Sequence, residues 1–216
     1  MYCTFVDFSK AFDTITRSSL WVKLQKSIIT GKVFRIIHSL YDNVKSCIKN
    51  NDKFSSFFKC DICVRQGENV CPFLFAIYLN DLEQFCVENN VNDLENIRNM
   101  CSENLNIFVK LFSLLYADDT IILSETEADM QYALAIFEKY CHHWKLKVNL
   151  QKTKVIIFCK RKYKNQPIFK LCGENLQIED SYSYLGVIFN YNGSFVKARA
   201  KLMDQARKAL YCFIEN

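Results

Sequence analysis

The chain has 216 residues, half of them hydrophobic, with 28 Lys and Arg against 23 Asp and Glu and a net charge of +5. That is enough apolar material for one sizeable core, which excludes a disordered chain, and the charge is too slight to identify a partner by itself. Eleven cysteines at irregular spacing, no secretory leader at Met1 and no apolar run approaching ~18 residues exclude a disulfide framework and a helical membrane span. A soluble protein with reduced thiols, in the nucleus or cytoplasm, is the expectation.

In chain order, an apolar strand from Tyr2 runs into Asp7, after which Phe8, Ala11, Phe12 and Ile15 switch to helical spacing, so Asp7 is expected at a strand end. Ser18–Ile28 places Leu20, Leu24 and Ile28 on one helical face, and Thr30-Gly31 breaks it. Lys32–Tyr41 reads as a second helix packing through Val33, Ile36, Ile37 and Leu40, with His38 at the core rim rather than as a base. Val44–Lys49 and Phe54–Cys60 flank the turn-forming Asn50–Lys53 and predict a hairpin. Cys60-Asp61-Ile62-Cys63 has the spacing of half a zinc site, but no second pair stands at a usable distance and Cys141-His142-His143 falls on a helix, so the spacing is read as chance.

Cys71–Cys86 is expected to be one long apolar helix with Pro72 in its first turn, and Glu88–Asn106 a polar surface excursion. Leu111–Glu125 places two apolar β-like runs on either side of Ala117-Asp118-Asp119-Thr120, a hairpin with two carboxylates at its tip. Thr126 and Asp129 form a capping pattern ahead of a helix to Trp144 that carries Ala133, Ile136, Phe137, Tyr140 and Trp144 on one side. Leu146–Leu150 and Val155–Cys159 read as strands around a Gln151–Lys154 turn, and Lys160–Lys164 is a basic cluster. Phe169–Leu171 and Leu176–Ile178 form a hairpin, Tyr182–Phe189 a single strand, and Ser194 caps a basic helix over Phe195–Glu215. If the strand before Asp7 and the strands around Asp118 and Asp119 are neighbours in one sheet, the three carboxylates could converge. Such a cluster would suit two divalent metal ions roughly 4 Å apart, the arrangement that serves displacement at phosphorus.

Five segments carry a family resemblance. FVDFSKAFDTI resembles the first catalytic motif of reverse transcriptases, VRQGENVCPFLFAIYLNDL the second and LLYADDTIIL the third. LKVNLQKTKVIIF and YSYLGVIF resemble the fourth and fifth, in order, and the detail is most similar to the non-LTR, LINE-like retrotransposon type. The resemblance implies an α+β palm, a largely antiparallel sheet with helices packed on one face, spanning residues 1–190 with an insertion at about 87–106. Residues 191–216 would begin a thumb, and the fingers would be largely missing, as would an endonuclease segment. It implies RNA-directed DNA synthesis from dNTPs on an RNA template and a DNA primer, with Mg²⁺ or Mn²⁺ as the metal.

By the same resemblance, Asp7 and Asp118 would be metal ligands and catalytic residues, Asp119 would support them, and the backbone carbonyl of Phe8 would add a ligand. Phe12 would exclude a ribose 2′ hydroxyl, Gln66 and Gly67 would line the nucleotide pocket, and Lys152 would meet the leaving pyrophosphate. Tyr184, Leu185 and Gly186 would hold the primer end. Two departures stand out: the family has glycine at Cys63 and serine at Cys71, where a thiol caps a helix poorly. A non-catalytic remnant that keeps the fold and binds nucleic acid or protein is the alternative reading.

Overall fold

The structure, a computed structural model, describes residues 1–27, 29–42, 44–60, 62, 70–90, 120–160 and 167–214. By internal packing the chain divides into two compact units. The first comprises Met1–Asp7, Ile121–Ala135 and Asn149–Asn216, and the second Phe8–Thr120 and Ile136–Val148.

The first unit is built on a four-stranded sheet. β1 (Tyr2–Val6) and β7 (Lys154–Ile157) are its centre, with β6 (Thr120–Ser124) on the far side of β1 and β10 (Gln177–Ile178) beside β7. β1 and β7 run antiparallel, with Tyr2 opposite Ile157 and Phe5 opposite Lys154, whereas β10 joins β7 in parallel. All five residues of β1 are buried, so both faces of the sheet are covered. One face carries Cys3, Phe5, Ile121 and Ile156 against Tyr182, Tyr184 and Phe189. The other sends the Thr4 hydroxyl to Met130 Sδ at 3.2 Å, on α6 (Glu127–Trp144). Thr126 opens α6 as expected: its Oγ1 accepts the Asp129 amide at 3.1 Å and donates to the Asp129 carboxylate at 2.6 Å.

Two hairpins complete this unit. β8 (Lys170–Leu171) and β9 (Glu174–Asn175) meet across Cys172 and Gly173, with φ 51° and 78°, and the strand continues into β10. β11 (Ser181–Tyr184) and β12 (Val187–Asn190) meet across Leu185 and Gly186, with φ 47° and 82°. Two central residues with positive φ make both turns of the type I′ class, whose twist matches the flanking strands. The single strand expected over Tyr182–Phe189 is therefore a hairpin. Leu at a positive-φ position hides the signal, and Tyr182 and Phe189, directly opposite each other, hold the two arms over Phe5. Leu146–Leu150 also departs from the expected strand. It contributes one bridge, Val148 to Phe8, because the amides of Lys152 and Thr153 turn back to the Asn149 carbonyl at 3.2 and 2.9 Å. α7 (Val196–Ile214) follows, with the Ser194 hydroxyl accepting the Val196 amide at 3.4 Å.

The second unit gathers helices. α1 (Ala11–Thr14), α2 (Arg17–Lys26) and α3 (Gly31–Asp42) precede the 44–60 hairpin, and α4 (Cys71–Leu79) and α5 (Leu82–Asn90) follow it. The helix expected over Cys71–Cys86 is broken at Asn80-Asp81. There the Tyr78 carbonyl accepts the Tyr140 hydroxyl at 3.0 Å instead of an amide one turn on, and Asp81 turns inward to Lys23 and Tyr140. Cys71 is buried at the helix start with its Sγ 4.0 Å from the Tyr41 hydroxyl, so it serves as a core residue rather than a cap. Helix α5 also takes in Glu88–Asn90, which the sequence placed in the excursion. On α3 only Ile37 and Tyr41 are buried, while Val33, Ile36 and Leu40 of the expected packing face are exposed. No helix among the described residues is long and apolar enough to cross a membrane.

Candidate active site

Asp7 leaves the buried end of β1, and its backbone is held on both sides. Its amide donates to the Thr153 hydroxyl at 3.2 Å, and its carbonyl accepts the Asn149 amide at 2.7 Å. Both partners belong to the tight turn that leads into β7, and Thr153 is completely buried. The same turn carries Lys152, whose Nζ stands 3.9 Å from Asp7 Oδ2; the carboxylate is mostly shielded and the lysine mostly in solvent. A part-buried carboxylate with a solvated cation at its rim is the outcome of one short turn packed under one strand end.

Phe8 is buried against the rings of Phe75 and Phe137, at 5.8 and 6.0 Å between centroids. Its bridge to Val148 is the kind whose hydrogen bonds come from the flanking residues: Ser9 N–H donates to the Lys147 carbonyl at 2.7 Å. The Phe8 carbonyl is thus not consumed by the pairing. Phe12, on α1, is half-buried with its ring 5.3 Å from that of Phe75, which is fully buried. In the first unit, the Tyr184 ring lies 5.5 Å from Phe5, two residues before Asp7, and Leu185 and Gly186 form the exposed tip beyond it.

Asp7, Lys152 and the Tyr184–Gly186 hairpin therefore belong to one packed body. Gln66, Gly67, Asp118 and Asp119 lie outside the described residues, as do Cys63 and positions 161–164 of the basic cluster. Among the described residues no three His, Cys, Asp or Glu side chains gather to hold a metal ion. What is described of the proposed ligand set suits a hard cation: a carboxylate and a carbonyl oxygen on rigid backbone, with no thiolate or imidazole beside them.

A second charged cluster lies in the second unit and was not read from the sequence. Lys23 is almost wholly buried, and its ammonium pairs with Asp81 and donates to the Tyr140 hydroxyl at 2.8 Å. It also sits over aromatic faces, 3.6 Å from the Trp144 centroid, 4.8 Å from Tyr140 and 5.1 Å from Tyr78. Desolvation pulls this ammonium down to about 8 against the pull of Asp81, and burial pushes the Tyr140 hydroxyl far up, keeping it a neutral donor. A lysine among Ser, Trp and Gln on an amphipathic helix gives no sign of this. The signals are the Asp81 that interrupts an apolar helix and the aromatic spacing of Tyr140 and Trp144. Asn149, expected within a strand, and Thr153, expected within a turn, likewise carry no sequence signal of their part in holding Asp7.

Comparison with known proteins adds to this geometry. The family described as "Reverse transcriptase (RNA-dependent DNA polymerase)" matches residues 1–189. An RNA-directed DNA polymerase from the mobile element jockey of Drosophila funebris is 24% identical over 203 residues, covering 94% of this chain and 21% of that protein. A Pol polyprotein from the type-1 retrotransposable element R2 of Nasonia vitripennis is 23% identical over 210 residues, covering 89% of the chain and 18% of that protein. The chain thus spans about a fifth of the length of these curated relatives. Among solved structures, a Candida tropicalis apo telomerase truncated from its C-terminal domain superposes with a TM-score of 0.53 at 14% identity. The match covers 88% of this chain and 34% of that one, and is a likeness of fold.

Proposed function

Because this chain belongs to the reverse transcriptase (RNA-dependent DNA polymerase) family, we propose that it is the palm portion of a retrotransposon-type RNA-directed DNA polymerase, with its polymerising chemistry centred on Asp7. The observation that carries this is the double clamp on the Asp7 backbone, with Lys152 3.9 Å from its carboxylate. The clamp fixes the point at which the carboxylate leaves the sheet, and Lys152 sets a cation beside it. The neighbour of β1 in the sheet is β6, whose first residue, Thr120, follows Asp119 directly in the chain.

In this reading Asp7, Asp118, Asp119 and the Phe8 carbonyl hold Mg²⁺ or Mn²⁺. When bound, the ions acidify a primer 3′ hydroxyl and offset charge on the phosphates. The remaining tasks fall to the chain's own side chains. Lys152, largely solvated and tethered beside Asp7, reaches the triphosphate and stabilises or protonates the departing pyrophosphate. Phe12, backed by Phe75, closes the space a 2′ hydroxyl would need and selects deoxynucleotides. The Leu185-Gly186 tip presents backbone to the primer strand. RNA template and DNA primer are the polymer partners.

The test is Mn²⁺ affinity, read by electron paramagnetic resonance, for the chain and its Asp7→Asn and Asp118→Asn variants, with primer extension on an RNA template alongside. We expect each substitution to weaken ion binding at least tenfold and to abolish whatever extension the parent shows. Ion binding unchanged in both variants, with nucleic-acid binding also unchanged and indifferent to metal, would overturn the polymerase reading and leave a binding remnant of the same fold.

A further inference from the structure

We infer that the 44–60 hairpin is a binding platform for unpaired nucleic-acid bases, separate from the site around Asp7. Its strands are β2 (Lys45–Ser46) paired with β5 (Phe58–Lys59), and β3 (Lys49–Asn50) paired with β4 (Lys53–Phe54). The pairing register shifts by one between the two ladders: the Ser55 amide donates to the Ile48 carbonyl and the Ile48 amide to the Ser55 hydroxyl, both at 2.9 Å, whereas Ser46 faces Phe58. Ser56 and Phe57 therefore both oppose Cys47, a bulge in the second strand.

That register decides which side chains share a face. Lys45 stands opposite Lys59 and Lys49 opposite Phe54, so each pair shares a side of its ladder. With Phe57 between the ladders on the second arm, the hairpin carries three lysines and two phenylalanines that are all exposed, with Phe54 65% and Phe57 70% accessible. The Lys49 ammonium lies 5.7 Å from the Phe54 ring centroid. Two bare aromatic rings on a short hairpin are costly to leave in water unless something flat covers them.

Charge says what that is. Residues 44–60 contain four lysines and a single acid, Asp52, so the occupant is anionic as well as flat. An apolar protein segment would satisfy the rings and leave the lysines unanswered, whereas a single strand supplies a base for each ring and a phosphate for each ammonium. Stacking on exposed aromatics with lysines tracking the backbone is how unpaired strands are held without regard to sequence. The hairpin lies wholly in the second unit, and this inference does not rest on the polymerase reading.

The experiment is fluorescence anisotropy of a labelled 15-mer oligouridylate and of a labelled duplex of the same length, titrated with the whole chain in EDTA and no nucleotide. The Phe54→Leu/Phe57→Leu variant keeps apolar bulk and loses the π-faces; we expect it to bind the single strand about tenfold more weakly and the duplex as the parent does. The Lys45→Ala/Lys49→Ala/Lys59→Ala variant should reduce the slope of log affinity against log salt by about 2, at roughly 0.7 per phosphate contact, while Lys139→Ala on α6 changes neither. Asp7→Asn should bind like the parent, which separates this result from any failure at the metal site. A leucine pair that binds oligouridylate within twofold of the parent, or equal losses on single strand and duplex, would overturn the inference and assign the hairpin to a protein partner.

Discussion

Replacing Asp81 should be more damaging than replacing its partner Lys23, although the two form one ion pair. The Lys23 side chain is 2% exposed and that of Asp81 30%. In Asp81→Asn the ammonium stays buried with only the Tyr140 hydroxyl and three ring faces for company. Removing one partner of a buried pair costs about 3–5 kcal/mol, and the rings offset up to about 2 kcal/mol of this, so a loss of about 1–3 kcal/mol is expected. In Lys23→Met the carboxylate keeps the Tyr140 hydroxyl at 2.7 Å and reaches water, and the loss should be about 1 kcal/mol. The double variant, Lys23→Met/Asp81→Asn, has no stranded charge and should be more stable than Asp81→Asn alone. Urea denaturation followed by circular dichroism measures all three. The sign of the pH dependence is fixed by the same burial. Lys23 binds its proton with a value of about 8 when folded and 10.5 when unfolded. The unfolded chain therefore holds more protons between those values, and stability rises across that window. Lys23→Met should lose this rise. A Lys23→Met variant less stable than Asp81→Asn, or additive losses in the double variant, would refute the reasoning.

Four further outcomes follow from local geometry. Thr153→Val keeps the side-chain shape but leaves the Asp7 amide without its acceptor, which should cost about 1–2 kcal/mol and weaken Mn²⁺ binding, both restored by Thr153→Ser. Leu185→Asn supplies the residue a type I′ turn favours and should raise the urea midpoint by the equivalent of about 0.5–1 kcal/mol. Gly186→Val at φ 82° should lower it by more than about 1 kcal/mol for backbone reasons alone, since nothing stands within 4 Å of the added carbon. Among the described cysteines, pulsed maleimide labelling should modify exposed Cys172 and Cys212 before Cys3, because burial pushes the Cys3 thiol up to about 12 and only unfolding exposes it.

Much of the fold is legible where local pattern and tertiary need agree. The switch from strand to helix after Asp7, the capping pair Thr126 and Asp129, and the hairpin at 44–60 all rest on short-range spacing, and each is found. Legibility fails where a distant partner overrides the local pattern. The Cys71–Cys86 run is continuous by apolar content, and only Tyr140, some 60 residues on, diverts the Tyr78 carbonyl and draws Asp81 inward. Tyr182–Phe189 is continuous by β-propensity, and its turn rests on a leucine at positive φ that no turn rule would select. The α3 stripe is the converse case: spacing predicts packing, but Val33, Ile36 and Leu40 are exposed.

The candidate site shows the same division between what spacing reveals and what packing adds. Asp7 is found from sequence because a carboxylate ending an apolar strand is conspicuous; Thr153 is not, because a threonine in a turn between two lysines looks like any solvated turn. Yet Thr153 is fully buried and Lys152 beside it mostly exposed, a difference of one residue that comes from the turn entering β7. One position faces inward to take the Asp7 amide, and the preceding one faces outward to set an ammonium near its carboxylate. The turn therefore ties the placement of the anion to that of the cation. Any insertion between Asn149 and Thr153 should break both at once: the Asp7 carbonyl would lose the Asn149 amide, and Lys152 would leave the carboxylate.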